Sequence, residues 1–238
     1  MKNCFLLLPC FLVFAAQGQN VFILGESNFS SFNMSDFKSI QRDFVVQSGL
    51  PLKIVDQFPT YFGWGGVVAI ESGKFSYGLH GGYTSTGGRV DYEDYSGLAR
   101  FDQSTKCYWF GPYFQAQLTK SDSWPVYFNF RGSYIHSKVD MNSLLIIGTS
   151  SQSYTESFYS WNYGFRPEFS VRKKINRIFI QASAGYEFQV HGKLYLTTNH
   201  NAYLRNSNGS NATAQWDGLR FSVGIGFFVS PHQNKGVK

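Results

Sequence analysis

The chain has 238 residues, of which 18% are aromatic, 24 are glycine and only 15% are charged. Soluble domains carry roughly 25% charged residues, and a mean hydropathy of −0.22 excludes a bundle of transmembrane helices. Many aromatic residues and glycines with few charges favour an all-β protein with a crowded interior. The formal net charge of +6 is small, and we expect no nucleic-acid partner.

The N-terminus has the pattern of a secretory signal peptide. Lys2 precedes the apolar run Phe5–Ala16, and the sequence Ala16-Gln17-Gly18 places small residues at positions −3 and −1. We predict cleavage before Gln19, so that 1–18 is removed. The apolar run is shorter than the roughly 20 residues that a transmembrane helix needs.

Cleavage also decides the cysteine chemistry of the mature chain. Cys4 and Cys10 leave with the signal peptide, and Cys107 alone remains. An intrachain disulfide is therefore excluded, which argues against the small disulfide-rich secreted folds.

After Gln19, eight segments have the length and alternation of β-strands: 20–31, 61–72, 75–85, 106–118, 125–138, 157–172, 177–192 and 217–229. Short connections alternate with the long connections 32–60, 86–105, 139–156 and 193–216. An antiparallel up-and-down sheet places all short turns at one end and all long loops at the other. This asymmetry is typical of outer-membrane β-barrels, whose periplasmic turns are short and whose extracellular loops are long.

One face of each segment is apolar and free of charge over about ten residues, the length of a membrane-crossing strand. In 219–229, for example, Leu, Phe, Val, Ile, Phe and Val alternate with Arg, Ser, Gly, Gly and Phe. Aromatic residues cluster toward the ends of these faces, as in the aromatic girdles of membrane barrels. Pro112 and Pro167 interrupt the pattern, and we expect each to mark a β-bulge.

The opposite face carries ionisable residues: Glu26, His80, Arg131, Arg166, Glu168, Glu187 and Arg220. A soluble lipocalin-like barrel would place this face outside, whereas a membrane barrel encloses it. The interior of an eight-stranded barrel is just wide enough for side chains, and unpaired buried ions are costly. We therefore predict a plugged lumen with two levels of ion pairs. Arg131, Arg166 and Glu168 form one level, and Glu187 with Arg220 forms the other.

These features resemble the small eight-stranded bacterial outer-membrane β-barrels, the OmpA/OmpX-like family, and more narrowly the PorT-like outer membrane protein β-barrel domains. The resemblance covers about 19–229 and is carried by the signal end, the alternating strands, the turn asymmetry and the segment GLRFSVGIGFF. It implies an antiparallel up-and-down transmembrane barrel in the bacterial outer membrane. It also implies contact with outer-membrane lipid, lipopolysaccharide and the barrel-insertion machinery. The family commonly ends on an aromatic residue, whereas here a periplasmic tail, 230–238, follows Val229.

The first long connection contains a predicted helix, Ser35–Gly49. Ser35 is a suitable N-cap and Gly49 a suitable C′ residue. The apolar residues recur at helical spacing: Phe37, Ile40, Phe44 and Val45. This helix either packs on the barrel rim or acts as a binding helix or lid.

Other charged clusters suggest weaker sites. The second long connection contains Asp91, Glu93, Asp94 and Asp102 without the spacing of a calcium loop, so we expect a solvated loop and no metal. Bases gather at the short-turn end: Lys74, Lys120, Arg172, Lys173, Lys174, Arg177, Lys235 and Lys238. They form either a solvated rim or a surface that attracts anionic phospholipid or a periplasmic partner.

The sequence favours a non-enzymatic barrel with a structural, adhesion or assembly-accessory role through its extracellular loops, and possible partners are periplasmic or cell-surface proteins. One alternative is a narrow channel or transporter for small solutes. A second is a lipid-modifying enzyme, for which the adjacent His136 and Ser137 are the only weak catalytic candidates. No nucleophile motif, nucleotide fingerprint or zinc spacing occurs, and we expect no cofactor.

Overall fold

The computed structural model describes residues 20–95, 97–121 and 123–229. The predicted signal peptide, 1–18, and the predicted tail, 230–238, lie outside the described residues. Nearly all of the described chain belongs to one antiparallel sheet. No helix of this part of the chain is long and apolar enough to cross a membrane.

The sheet has eleven strands rather than the eight predicted. In chain order the elements are β1 Asn20–Ser30, α1 Ser35–Ser48, β2 Lys53–Gln57, β3 Tyr61–Ser72, β4 Phe75–Asp94, β5 Gly97–Gln117, β6 Val126–Ile147, β7 Ser150–Ile175, β8 Ile178–Val190, β9 Tyr195–Leu196, β10 Asn199–Tyr203 and β11 Gly218–Phe228.

Eight of these strands pair in a closed cycle. The order is β1-β3-β4-β5-β6-β7-β8-β11, and β11 returns to β1. The other three strands lie outside the cycle: β2 pairs with β4, β9 pairs with β7, and β10 pairs with β9. All three come from residues that the sequence analysis assigned to long connections.

Two predicted long connections are in fact strand. β4 and β5 stay paired out to Asp94 and Gly97, and β6 and β7 stay paired out to Ile147 and Ser150. These four strands thus continue well past the ends of β1, β3, β8 and β11. We call their continuation, 86–105 and 139–156, the outer extension. The strands persist because their inner face remains apolar and buried there, with Val90, Phe101, Val139, Met141 and Phe158.

The predicted β-bulges are absent at both prolines. Between β5 and β6 the register is unchanged from the pair Phe110–Tyr134 to the pair Tyr113–Arg131. Pro167 pairs with Phe130 of β6 within an unbroken register. A proline removes one donor from a ladder, and here the ladder tolerates the loss without shifting.

Helix α1 packs over the outer end of the cycle. Phe37 is buried and stacks on Phe58 at 5.5 Å between ring centroids, and Phe44 stacks on Phe101 at 4.8 Å. Ile40 and Val45 pack against the same apolar cluster. The predicted apolar face of the helix therefore contacts the outer extension.

The ends of α1 differ in part from the prediction. Gly49 terminates the helix with a φ of 66°, a left-handed conformation that glycine adopts readily. Ser35 is not the N-cap: that position is Met34, and no side chain caps the helix. The Ser35 backbone N–H and hydroxyl instead donate to Gln215 Oε1, at 2.8 and 2.5 Å, which ties the helix to the chain before β11.

Candidate functional site

The polar interior of the strand cycle is the best-defined candidate site, and Arg131 lies at its centre. The Arg131 side chain is inaccessible to solvent. Its Nη1 and Nη2 donate to Glu26 Oε1 and Oε2 at 2.5 and 3.0 Å. Its Nε donates to Glu168 Oε1 at 2.8 Å. One guanidinium thus bonds to two buried carboxylates, and its contact with Glu26 is forked.

Further charged groups extend this layer. Arg166 Nε lies 3.3 Å from Glu168 Oε2 and 3.8 Å from Glu187 Oε2. His80 Nε2 is 2.8 Å from the Gly132 carbonyl oxygen. We call Glu26, His80, Arg131, Arg166, Glu168 and Glu187 the interior charge layer. All six belong to the predicted polar face, and all are buried.

Arg220 belongs to the same face but does not pair as predicted. It makes no ion pair with Glu187, although Arg220 lies opposite Gly185 and Glu187 opposite Gly218, which makes the two residues diagonal neighbours on the inner face. The guanidinium donates instead to the Trp216 carbonyl and, at 2.6 Å, to the Ser31 carbonyl. Arg220 therefore holds together the chain segments that enter and leave the outer end of the cycle.

Arg172 is a buried residue that the sequence analysis assigned to the exposed basic rim. Its Nε and Nη2 donate to Gln181 Oε1 at 3.0 and 2.8 Å, and Nη2 also donates to Gln115 Oε1 at 2.8 Å. Three rings surround the guanidinium carbon at 4.3 to 4.7 Å: Phe22, Tyr127 and Phe179. The signal was present in the sequence, because Arg172 has the same even parity as Arg166, Glu168 and Ser170.

The interior is closed at both ends. At the short-turn end it is filled by the Arg172 cluster, and at the outer end by the indole of Trp216, which is 1% exposed. Trp216 Nε1 donates to Ser137 Oγ at 2.8 Å, and its ring meets Phe32 edge to face at 5.1 Å. A cavity of about 20 Å³ remains beside Arg166 and Arg220, which is room for about one water molecule.

The weak catalytic candidate does not form a dyad. Ser137 points into the interior and accepts the Trp216 hydrogen bond. His136 is its neighbour on β6 and points outward, where its ring lies 4.1 Å from the ring of Trp161. Successive residues of a strand face opposite sides, so the two side chains cannot meet.

The carboxylates that the sequence placed in the second loop lie on the outer extension, where two of them form ion pairs with arginine side chains. Asp91 Oδ2 is 2.9 Å from Arg100 Nη2, and Asp102 Oδ1 is 2.5 Å from Arg89 Nε. The hydrogen bond and charge of Asp102 raise the pKa of Arg89. Within 20–95, 97–121 and 123–229, no three His, Cys, Asp or Glu side chains are grouped to hold a metal ion.

The outer extension presents a second candidate site at its β7 edge. Ser150–Glu156 pairs with β6 on one side. On the other side, the neighbours of β7 begin only at Ser157 and Phe158, through Thr197 and β9. No described strand pairs with Ser150–Glu156 on that side. A groove of about 790 Å³ lies between this hairpin and the end of α1, and its walls include Phe44, Leu50 and Tyr154.

No protein-family model and no curated protein matches the chain. Among solved structures, the chain is similar to Neisserial surface protein A, with 9% identity and a TM-score of 0.40, over 87% of this chain and 96% of that one. It is also similar to Ail, the attachment invasion locus protein of Yersinia pestis, in complex with the heparin analogue sucrose octasulfate. That match has 15% identity and a TM-score of 0.33, over 88% of this chain and 97% of that one.

Proposed function

We propose that the chain is an integral outer-membrane β-barrel of the small OmpA/OmpX-like type, with its outer extension as a binding surface for a partner protein. The strand cycle would be the membrane anchor, and the long-connection end would face the cell exterior. The role is non-enzymatic.

The outward face of the cycle supports the membrane position. The outward faces of stretches such as Tyr108–Leu118 and Trp161–Val171 are uncharged over about ten residues, the length that a tilted strand needs to cross a bilayer. Large apolar side chains on these stretches are exposed, among them Phe110, Phe165 and Ile225. A soluble protein rarely exposes so extensive an apolar surface, whereas lipid would cover it.

The charge distribution supports the same arrangement. Within the apolar stretches of the crossing segments, the charged residues lie on the inner face and are paired or hydrogen-bonded, as Arg131 and Arg172 illustrate. Lys106 and Lys138 follow the apolar stretch on the outward face at one end, and Lys173 follows it at the other. Cations at both borders of an apolar band suit the two polar surfaces of a membrane.

The closed interior argues for a binding role over transport. Trp216 and the Arg172 cluster fill the two ends, and Arg131 spans the middle. A narrow channel would need these groups to move apart together, at the cost of exposing buried ion pairs. We therefore place the function on the outer surface.

The observation that carries the proposal is the unpaired β7 edge, Ser150–Glu156. Exposed edges of soluble sheets are usually protected by lysine, proline or a bulge, and this segment, SSQSYTE, contains no lysine or proline. Free backbone donors and acceptors along such an edge can add an extended segment of another protein as a further strand. The partner class is thus an extended polypeptide segment, with the adjoining groove able to accept its side chains.

Membrane insertion and edge binding can be tested separately. For the first, the protein expressed with its signal should sediment with the outer membrane and show heat-modifiable gel mobility. For the second, the refolded protein is applied to arrays of extended peptides. The double variant Ser151→Lys/Ser153→Lys should lose at least about tenfold in binding, because charged side chains protect an edge.

The matched control is the double variant Ser104→Lys/Asn142→Lys. It also adds two lysines to the outer extension, but on β5 and β6 and not on the β7 edge. This control should bind as the wild type does. Equal binding by the edge variant would overturn the edge as the contact surface. A protein that stays out of the membrane fraction and shows no heat-modifiable mobility would overturn the barrel assignment itself.

A further inference from the structure

Two lysines lie directly opposite each other on the outward face of the sheet. Lys106 of β5 pairs in register with Lys138 of β6. Their chain neighbours Thr105, Cys107 and Ser137 are buried inside, so the lysine side chains point away from the interior. The Lys138 side chain is 49% exposed. Directly opposed residues have Cβ atoms about 4.5–5.5 Å apart, and like charges at such positions are destabilising.

The surroundings of this lysine pair leave it with a net positive charge. Lys138 Nζ is 3.7 Å from Asp140 Oδ1, which also accepts the Ser157 hydroxyl at 2.6 Å. Lys106 has no ion pair with any described residue. The residues that flank the pair on the neighbouring strands are neutral: Ser85 on β4 and Tyr159 on β7. Asp102 is engaged by Arg89.

An aromatic row lies immediately beside the lysine pair on the membrane side. Tyr83 and Tyr108 are 5.0 Å apart, and His136 and Trp161 are 4.1 Å apart between ring centroids. Each of these four residues occupies the outward position two residues away, along its own strand, from Lys106, Lys138 or the flanking residues Ser85 and Tyr159. Amphipathic rings of this kind sit at the level of lipid headgroups, so the lysine pair lies at the headgroup level or just outside it.

The feature is confined to one side of the cycle. At the same end of the strands on the other side, β1, β3, β8 and β11, the outward residues are Phe29, Phe62, Val190 and Leu219, none of which is charged. A general electrostatic attraction to the membrane would not require two lysines at directly opposed positions. An anion between the two ammonium groups would convert their repulsion into attraction, and lysine is a common phosphate ligand.

We propose that Lys106 and Lys138 form a binding site for a phosphate group of lipopolysaccharide in the outer leaflet, with the aromatic row contacting the lipid beside it. This inference rests on the membrane position in the proposed function. Lipid A and phospholipids both carry phosphate. We choose lipid A because the lysine pair lies at the end of the barrel that carries the long connections, which the proposed function places at the cell exterior.

The test measures lipid retention by native mass spectrometry on refolded protein. The probes are bisphosphorylated lipid A, the same lipid A after enzymatic dephosphorylation, and phosphatidylglycerol. The wild type should retain bisphosphorylated lipid A at least about tenfold better than the double variant Lys106→Gln/Lys138→Gln, in line with the attraction of single lysines to anionic lipid. The dephosphorylated probe should bind both proteins equally weakly.

The control variant, Lys38→Gln/Lys53→Gln, removes two charges from α1 and β2 and should retain lipid A as the wild type does. Unchanged retention by the Lys106/Lys138 variant overturns the inference, as does phosphatidylglycerol binding of equal strength and equal lysine dependence. Heat-modifiable mobility is recorded for each protein. Failure of the wild type to insert overturns the proposed function and this inference with it, whereas an inserted protein with unchanged lipid A retention overturns only the inference.

Discussion

The guanidinium of Arg131 reaches the carboxylate of Glu26 across the full width of the interior, with Nη1–Oε1 and Nη2–Oε2 distances of 2.5 and 3.0 Å. Their strands, β6 and β1, are four steps apart in either direction around the cycle of eight. This ion pair therefore joins opposite walls, and Glu168 completes it from the neighbouring strand β7.

Replacing Arg131 with methionine should destabilise the protein strongly. The substitution leaves Glu26 buried without an ion pair and removes one of the two cations that contact Glu168, and breaking a buried pair costs about 3–5 kcal/mol. The measurement is urea unfolding of the refolded protein in lipid vesicles. Arg42→Met, on the exposed face of α1, is the control and should change the unfolding free energy by less than about 0.5 kcal/mol. Equal effects of the two substitutions would show that the ion pairs contribute no net stability.

The wild-type protein should form no steady open pore in a planar lipid bilayer. Trp216 and the Arg172 cluster close the two ends, and the cavity between them, about 20 Å³, has room for about one water molecule. Single-channel recording at low and high voltage checks this. A long-lived conductance of defined size would contradict the closed interior and would revive the channel alternative.

Cys107 provides an independent test of the same closure. Its side chain faces the interior and is buried. A maleimide should therefore label the folded protein at least about a hundredfold more slowly than the urea-unfolded protein, because thiolate attack requires access. A Cys107→Ser/Ser104→Cys variant, with the thiol on the exposed face of the same strand, should label at similar rates in both states. Rapid labelling of folded Cys107 would show that the interior is open to solvent.

Replacing Phe37 with alanine should loosen α1 without unfolding the strand cycle. Phe37 is fully buried against Phe58, and truncating a buried phenylalanine costs about 3–5 kcal/mol. Faster amide hydrogen exchange across Ser35–Ser48, with unchanged exchange in β5 and β6, is the expected result. Val46→Ala, on the solvent side of the same helix, should leave exchange unchanged. Protection of α1 equal to the wild type would mean that the helix is held by other contacts.

Asp217 should make stability depend on pH in the acid range. Burial alone would raise its pKa, but the hydrogen bond and charge of His191 and the Gln189 N–H hold the pKa of the Asp217 carboxyl below its usual value of 3.8. Arg220 adds a nearby positive charge. A lowered pKa stabilises the folded state at pH values above 3.8, and this contribution is lost as the pH falls through the folded-state pKa.

The measurement compares unfolding free energies of the wild type and Asp217→Asn between pH 7 and pH 2.5. The wild type should be more stable by about 1 kcal/mol at neutral pH, and the difference should shrink below pH 3.8. A difference that stays constant over the whole range would show that the carboxylate charge contributes nothing.

Much of the local structure was predictable because it depends on periodicity. Alternation along each strand assigns Leu219 and Phe221 to one face and Arg220 to the other, and helical spacing places Phe37 and Phe44 on one side of α1. Both assignments agree with the burial in the structure. The same alternation, continued to Arg172 at the end of its strand segment, would have placed this side chain inside.

The prediction that two of the long connections are loops was wrong for a related reason. The connections 86–105 and 139–156 carry fewer apolar residues than the crossing segments, so they resemble loops when each is considered alone. Paired with each other and packed beneath α1, they bury one face and remain strand. Their apolar inner face packs against α1, a helix that ends at Ser48, some forty residues before the first of the two connections begins.

The sequence by itself determined which face of each strand is apolar and which is charged, because a side chain's direction follows from its parity. It did not determine which charges meet. Glu26 bonds to Arg131 because the cycle closes and brings opposite walls within reach. Arg220 bonds to the carbonyls of Ser31 and Trp216 instead of Glu187, because the segments before β11 and after β1 come together beside it in the closed cycle. Register and closure are properties of the paired sheet, and only the tertiary structure decides them.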